Sequence, residues 1–102
     1  MPKGEFLGEF EQLMLLAILR LADNAYGVTI RQEIETRAQR QVASGAIYAT
    51  LERMVEKGYL SAKEGKPEPT RGGRPKVYYL VEAPGLAAIR LKSRARRRSP
   101  FS

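Results

Sequence analysis

A mainly helical fold carrying one small β-hairpin is the class this 102-residue chain predicts. Three observations predict it. Apolar residues recur at helical spacing in four separate stretches. Two short runs with strand character, Leu60 to Lys63 and Lys76 to Val81, flank the twelve residues EGKPEPTRGGRP, which are too many for a tight turn and too rich in Pro and Gly to pack a core. The third helix begins after a short turn, Arg40 to Ala43, and leads straight into that hairpin, so a helix-turn-helix pair is followed by a protruding loop. Together these describe a winged helix-turn-helix domain of three helices and a two-stranded wing, plus a C-terminal helix for dimerisation. The expected layout is an N-terminal arm over 1–7, the winged helix-turn-helix domain over 8–82, the dimerisation helix over 83–98 and a disordered tail over 99–102.

Helix one is expected from about Glu9 to Ala22, ending at the turn Asp23-Asn24-Ala25-Tyr26-Gly27. Its residues Leu13, Met14, Leu15, Leu16, Ile18 and Leu19 point almost all the way round, whereas a surface helix needs a single apolar stripe. Burial on two sides follows, the second of them against another subunit. Helix two, about Val28 to Gln39, carries the stripe Ile30, Ile34, Ala38, with Arg31, Glu33, Glu35 and Arg37 facing water and Glu33–Arg37 as an i,i+4 pair.

In helix three, Ser44 is the expected N-cap and Gly58 closes the C-terminus in the left-handed conformation that glycine adopts without strain. Steps of about 100° per residue put Ile47, Leu51, Met54 and Val55 on the core side and Gly45, Ala49, Glu52, Arg53 and Glu56 on the other. The outer face is small and neutral in its N-terminal half. Its C-terminal half carries Glu52 and Glu56, which repel phosphates, so only the N-terminal half is expected to enter a groove. The last helix, about Pro84 to Arg98, starts with a proline whose fixed φ is helical. Leu86 and Ile89 fall on one of its sides, Ala88, Leu91 and Ala95 nearly opposite.

A chain this small builds one modest core and gains from a partner subunit. The net charge of +7 is unevenly placed: residues 71–102 hold nine Lys/Arg against one acid, residues 1–70 nine against ten. Such a basic stripe suits a polyanion. Cysteine and histidine are both absent, which removes disulfides, thiolate chemistry, the usual nucleophile–base pairs and most transition-metal sites. No enzymatic activity and no cofactor are expected. The apolar run LMLLAIL from Leu13 is far short of the roughly 20 residues that span a bilayer, and no signal-peptide pattern precedes it. A soluble cytoplasmic protein is the expectation.

The residues expected at DNA are Ser44, Gly45, Tyr48, Ala49 and Arg53 on helix three, and Arg71, Gly72, Gly73, Arg74 and Lys76 in the wing. Small residues keep the start of the helix thin enough for close backbone approach. Tyr48 flanks the core stripe, with its ring on the domain edge and its hydroxyl offered to a phosphate, or else as a half-buried core tyrosine. Glycines at the hairpin tip let the neighbouring cations reach along a groove. The tail Arg94, Arg96, Arg97, Arg98 fits flanking DNA or plain solvation equally well. Phe6 and Phe10 suit either interface packing or the lining of a small-molecule pocket between subunits. The expected dimer surface is Phe10, Leu13, Leu15, Leu19, Ala88, Leu91 and Ala95.

The segments LGEFEQLMLLAIL (from Leu7), AYGVTIRQEIE (from Ala25), SGAIYATLERMVEKGYL (from Ser44) and EPTRGGRPKVYYLV (from Glu68) together resemble the PadR family of transcriptional regulators, over about residues 7–90. The resemblance implies a winged helix-turn-helix protein that dimerises through its first and last helices and acts mostly as a repressor on palindromic promoter sites. By that likeness Tyr48 matches the tyrosine of the family's GAxYxxL recognition helix, and Arg74 and Lys76 the basic wing after the paired glycines. It also implies, for some members, release from DNA by small aromatic effectors near the dimer interface. Val81-Glu82-Ala83-Pro84-Gly85 departs from the family's usual threonine ahead of the last helix, and the C-terminal region is brief. The rival readings are a winged-helix module that meets an acidic protein, and an RNA- or ribosome-associated protein that binds through its arginine tail.

Overall fold

Local chemistry sets the elements in the order α1 (Glu9–Leu21), a 3-10 turn (Ala22–Asn24), α2 (Gly27–Ala38), α3 (Ser44–Glu56), β1 (Leu60–Glu64), β2 (Val77–Val81) and α4 (Ala83–Arg98). The computed structural model describes residues 8–65 and 76–98, with side chains as far as residue 91. The N-terminal arm, Arg71, Gly72, Gly73 and Arg74 of the wing, the side chains of Ala95 and the arginine tail, and residues 99–102 lie outside the described residues.

Helix α1 begins where the Glu11 carboxylate accepts the Gly8 N–H at 3.1 Å, and Glu9 and Glu11 suit the positive end of the helix dipole. It stops at Ala22, whose φ of 54° and ψ of −119° leave the helical region. Thr29 organises the start of α2: its Oγ1 accepts the Tyr26 N–H at 3.0 Å and donates to the Asn24 carbonyl at 2.6 Å. The left-handed Gln39 (φ 56°, ψ 40°) ends that helix.

The cap of α3 differs from expectation. Ala43 occupies the N-cap, its carbonyl accepting the Ala46 and Ile47 N–H groups at 3.1 and 3.2 Å. Ser44 stands inside the first turn, where its Oγ accepts from Arg31 Nη1 at 2.8 Å. A cationic donor from α2 outcompetes the neutral backbone donors a cap would satisfy. Gly58 does take the left-handed conformation, φ 82°, after α3, and the Gly58 and Tyr59 N–H groups close the helix onto the Val55 and Met54 carbonyls at 3.0 Å each.

Strands β1 and β2 pair antiparallel, with Leu60 opposite Val81 and Glu64 opposite Val77. The connection before α2 adds a third strip: Tyr79 N–H donates to the Ala25 carbonyl at 2.8 Å and Tyr26 bridges Tyr78. The wing is thereby rooted on the start of α2.

Helix α1 is central, packing on α2, β2 and α4. Met14, Leu15 and Ile18 meet Ile30 and Ile34 of α2, Ile47, Leu51 and Met54 of α3, and Leu60, Tyr79 and Ile89 in one core. The breadth of the α1 apolar surface is therefore met largely within the protomer. Leu15 has no exposed surface, which corrects its expected place at a dimer surface. Phe10 and Leu13 are half-buried, Leu19 is exposed, Ala88 is half-buried against the core, and Leu91 is 66% exposed. Gly85 lets α4 settle on the turn before β1, because a Cβ there would lie 2.6 Å from the Tyr59 carbonyl oxygen.

Candidate nucleic-acid interface

Helix α3 divides by face as its periodicity predicts. Ile47, Leu51 and Met54 are buried, joined by Thr50, while Ser44, Gly45, Tyr48, Ala49, Glu52, Arg53 and Glu56 are exposed. Gly45 stands out among them. A Cβ built on it meets nothing within 4 Å, so the fold makes no demand for glycine there, although glycine inside a helix costs about 0.5–1 kcal/mol relative to alanine.

The same end of α3 is moored to α2. Glu35 Oε2 accepts the Val42 N–H at 2.8 Å and Arg31 Nε at 3.3 Å, and Arg31 Nη1 reaches Ser44. The Val42 N–H, helped by the Arg31 guanidinium, outweighs desolvation and holds the Glu35 carboxyl below its ordinary value. This arrangement fixes the turn and hence the angle at which α3 leaves it.

Tyr48 is 48% exposed, and its ring lies over the first residue of α2. A Cβ on Gly27 would overlap the Tyr48 hydroxyl and sit 2.7 Å from its Cε1. The half-buried reading of Tyr48 is thus met on one side of the ring, with the other side open. A cleft of about 220 Å³ between the starts of α2 and α3 is lined by Gly27, Val28, Arg31, Ser44, Ile47 and Tyr48. Tyr79 is buried, and burial, with the neighbouring Tyr48 and Glu52, pushes its phenol pKa up.

Lys76 sits at the wing root, its ammonium 4.4 Å above the Tyr26 ring, an attractive cation–π placement. Tyr26 meets Tyr78 edge-on at 5.5 Å. The Gly65 N–H donates to the Lys76 carbonyl at 2.7 Å, and the Tyr78 ring covers Gly65 so closely that a Cβ would lie 2.7 Å from it. Ser44, Gly45, Tyr48 and Ala49 are all exposed on α3, and the Tyr48 ring covers the buried Gly27, whose neighbour Tyr26 carries Lys76 on its ring. Arg53 is exposed and lines a concavity with Ala46 and Ala49, while its Nε lies 3.5 Å from Glu11 Oε2 on α1.

Sequence reasoning passed over Arg31, Glu35 and Gly27. Arg31 and Glu35 lie off the apolar stripe and so face water by periodicity alone, and their i,i+4 spacing is the available signal. Gly27 carried only a turn reading. Its role depends on a ring 21 positions away, which no local pattern announces.

Residues 15–91 match the Transcriptional regulator PadR-like family. This chain belongs to the PadR family. It is a transcriptional regulator with the family's winged-helix fold, and the family comprises regulators rather than enzymes. Among solved structures, it is similar to a PadR family transcription regulator from Clostridium difficile R20291 (22% identity, TM-score 0.63, covering 84% of this chain and 85% of that one). A PadR-like transcription factor from Bacteroides fragilis is similar too (24% identity, TM-score 0.66, 86% and 81%), as is a PadR family transcriptional regulator from Eggerthella lenta (19% identity, TM-score 0.64, 83% and 70%). The comparison with curated proteins gave no match. Among the described residues of this PadR protein, no helix is long and apolar enough to cross a membrane.

Proposed function

We propose that this PadR-family chain is a cytoplasmic repressor that binds a palindromic operator in double-stranded DNA as a homodimer. The N-terminal half of α3 enters the major groove with Ser44, Gly45, Tyr48 and Ala49, and Lys76 with the wing residues Arg71, Gly72, Gly73 and Arg74 lies at the adjacent minor groove. Symmetric half-sites about 10 bp apart match a two-fold dimer. Leu19 and Leu91, exposed at 43% and 66%, together with Phe10, Leu13, Ala88 and Ala95, form the subunit contact. A small aromatic effector bound at that contact releases the DNA.

The observation that carries this reading is Gly45, a first-turn glycine of α3 whose missing side chain relieves no contact inside the chain. Close approach of an external backbone accounts for it. Gly45→Ala is the test. The thermal midpoint should rise, by up to about 1 kcal/mol in stability, while affinity for a duplex selected from a random pool falls. Unchanged binding by Gly45→Ala, or a selected pool without a palindrome, would overturn the reading.

A further inference from the structure

Glu11 is the one carboxylate buried among the described residues, at 6% exposure, and it gathers two cations from α3 and the residue that follows it. Lys57 Nζ lies 3.1 Å from Oε2 and Arg53 Nε 3.5 Å from the same oxygen, while Oε1 accepts the Gly8 N–H. Lys57 is further enclosed by the Tyr59 ring, 5.9 Å from its ammonium. We propose that Glu11 sets DNA specificity by charge compensation: it holds Lys57, tethers Arg53 by its Nε and offsets their charge, and so confines contact to the N-terminal half of α3. The inference rests on the DNA-binding reading above and adds a second residue class to it, a carboxylate that acts away from the DNA.

The electrostatics follow from the placement. The exposed charges at this end of α3 are Glu52, Glu56 and Arg53, the last with its side chain 53% exposed but its Nε 3.5 Å from the Glu11 carboxylate, so that with Glu11 offsetting Arg53 or Lys57 the balance here is negative. Phosphates are repelled there and admitted at the neutral end, so the protein docks through the part of the helix that reads bases. Swinging Arg53 outward to a phosphate would strip a buried carboxylate of one of its cations, which is costly in a poorly solvated site. Without Glu11, two cations would be free to hold any phosphate, whatever the sequence.

Two variants in the full chain test this by salt titration against a selected duplex and a random one. Glu11→Gln should raise affinity for random duplex about three- to tenfold and steepen its salt slope by one to two, since each phosphate neutralised adds about 0.9 to the slope. The ratio of selected to random affinity should fall. Arg53→Ala, a change at an exposed helix position, should leave affinity and slope unchanged, and it keeps the test open if Glu11→Gln does not fold. A slope lower by about one in Arg53→Ala, or weaker random binding by a folded Glu11→Gln, overturns the inference while the DNA-binding reading stands. Failure of the unaltered protein to bind either duplex at low salt overturns both.

Discussion

The two ends of α3 are held by the same device in different surroundings. At the N-terminal end, Glu35 accepts a backbone N–H from Val42 and a cationic donor from Arg31; at the C-terminal end, Glu11 accepts a backbone N–H from Gly8 and the cations Lys57 and Arg53. The Glu35 side chain is 27% exposed beside an Arg31 that is 42% exposed, whereas the Glu11 side chain is 8% exposed beside a Lys57 that is 22% exposed. Similar kinds of partner therefore carry different weight. Water and salt can replace Arg31 at Glu35, but little can replace Lys57 at Glu11. The mooring nearer the reading surface is the replaceable one, and the mooring that joins α3 to the central helix is the rigid one.

The largest expected effect comes from breaking the rigid end. Glu11→Gln removes the charge that compensates two cations, one of them mostly buried, and should destabilise the fold by about 1–3 kcal/mol. Acid offers the same comparison without mutation. Burial raises the Glu11 pKa, but the Gly8 N–H, Lys57 and Arg53 outweigh it and hold the carboxyl below its ordinary value of 4.5. A carboxyl depressed in the folded state contributes stability that is present above the unfolded value and is lost as pH falls through the lower folded value. Denaturation midpoints measured from pH 7 down to 3 should therefore be level near neutrality and drop below about 4.5, with a shallower drop in Glu11→Gln. Parallel profiles for the two proteins would show that Glu11 is not the group being titrated.

A smaller effect is expected at the replaceable end. Glu35→Gln keeps an acceptor for the Val42 N–H but loses the attraction to Arg31, so its midpoint should fall less than that of Glu11→Gln, and 1 M salt should erase the difference from the parent protein. Hydrogen exchange at the Val42 amide should quicken. A loss that persists in high salt would mean that Glu35 works through its hydrogen bond alone, and the contrast between the two ends would then be one of geometry rather than of screening.

The architecture was legible because it rests on local signals. The α3 stripe, the left-handed Gly58, the strand character of Val77 to Val81 and the long Pro/Gly-rich connection each act over a few residues. The exposed small residues at the start of α3 were legible for the same reason. Both moorings were not, because Glu11 and Lys57 are 46 positions apart and Glu35 reaches Val42 across a turn. The helical angle of Arg53 points outward and its side chain is 53% exposed, but the angle alone does not announce the contact of its Nε with the buried Glu11. The cap was misplaced by one residue for a related reason: Ser44 is a good capping type, but Arg31 claims its hydroxyl. Leu15 shows the converse limit, since a helix apolar on several sides is equally consistent with a second subunit and with the centre of its own fold.

The smallest effect tests whether the flexible mooring carries avoidable strain. Gln39 lies between the Glu35 carboxylate and Val42 with φ 56° and ψ 40°, a conformation that costs a side-chain-bearing residue about 1 kcal/mol. Its N–H donates to the Glu35 carbonyl at 2.8 Å, so the backbone role survives any side chain. Gln39→Gly should raise stability by a few tenths to about 1 kcal/mol, the relief of strain being partly offset by the extra freedom glycine brings to the unfolded chain. DNA affinity should not change, because the exposed Gln39 side chain stands ahead of the reading half of α3 and the path of the turn is set by Glu35, Arg31 and Ser44. Lower affinity at raised stability would show instead that the rotation at Gln39 helps to aim the helix, and the strain would then belong to recognition rather than to the end of α2.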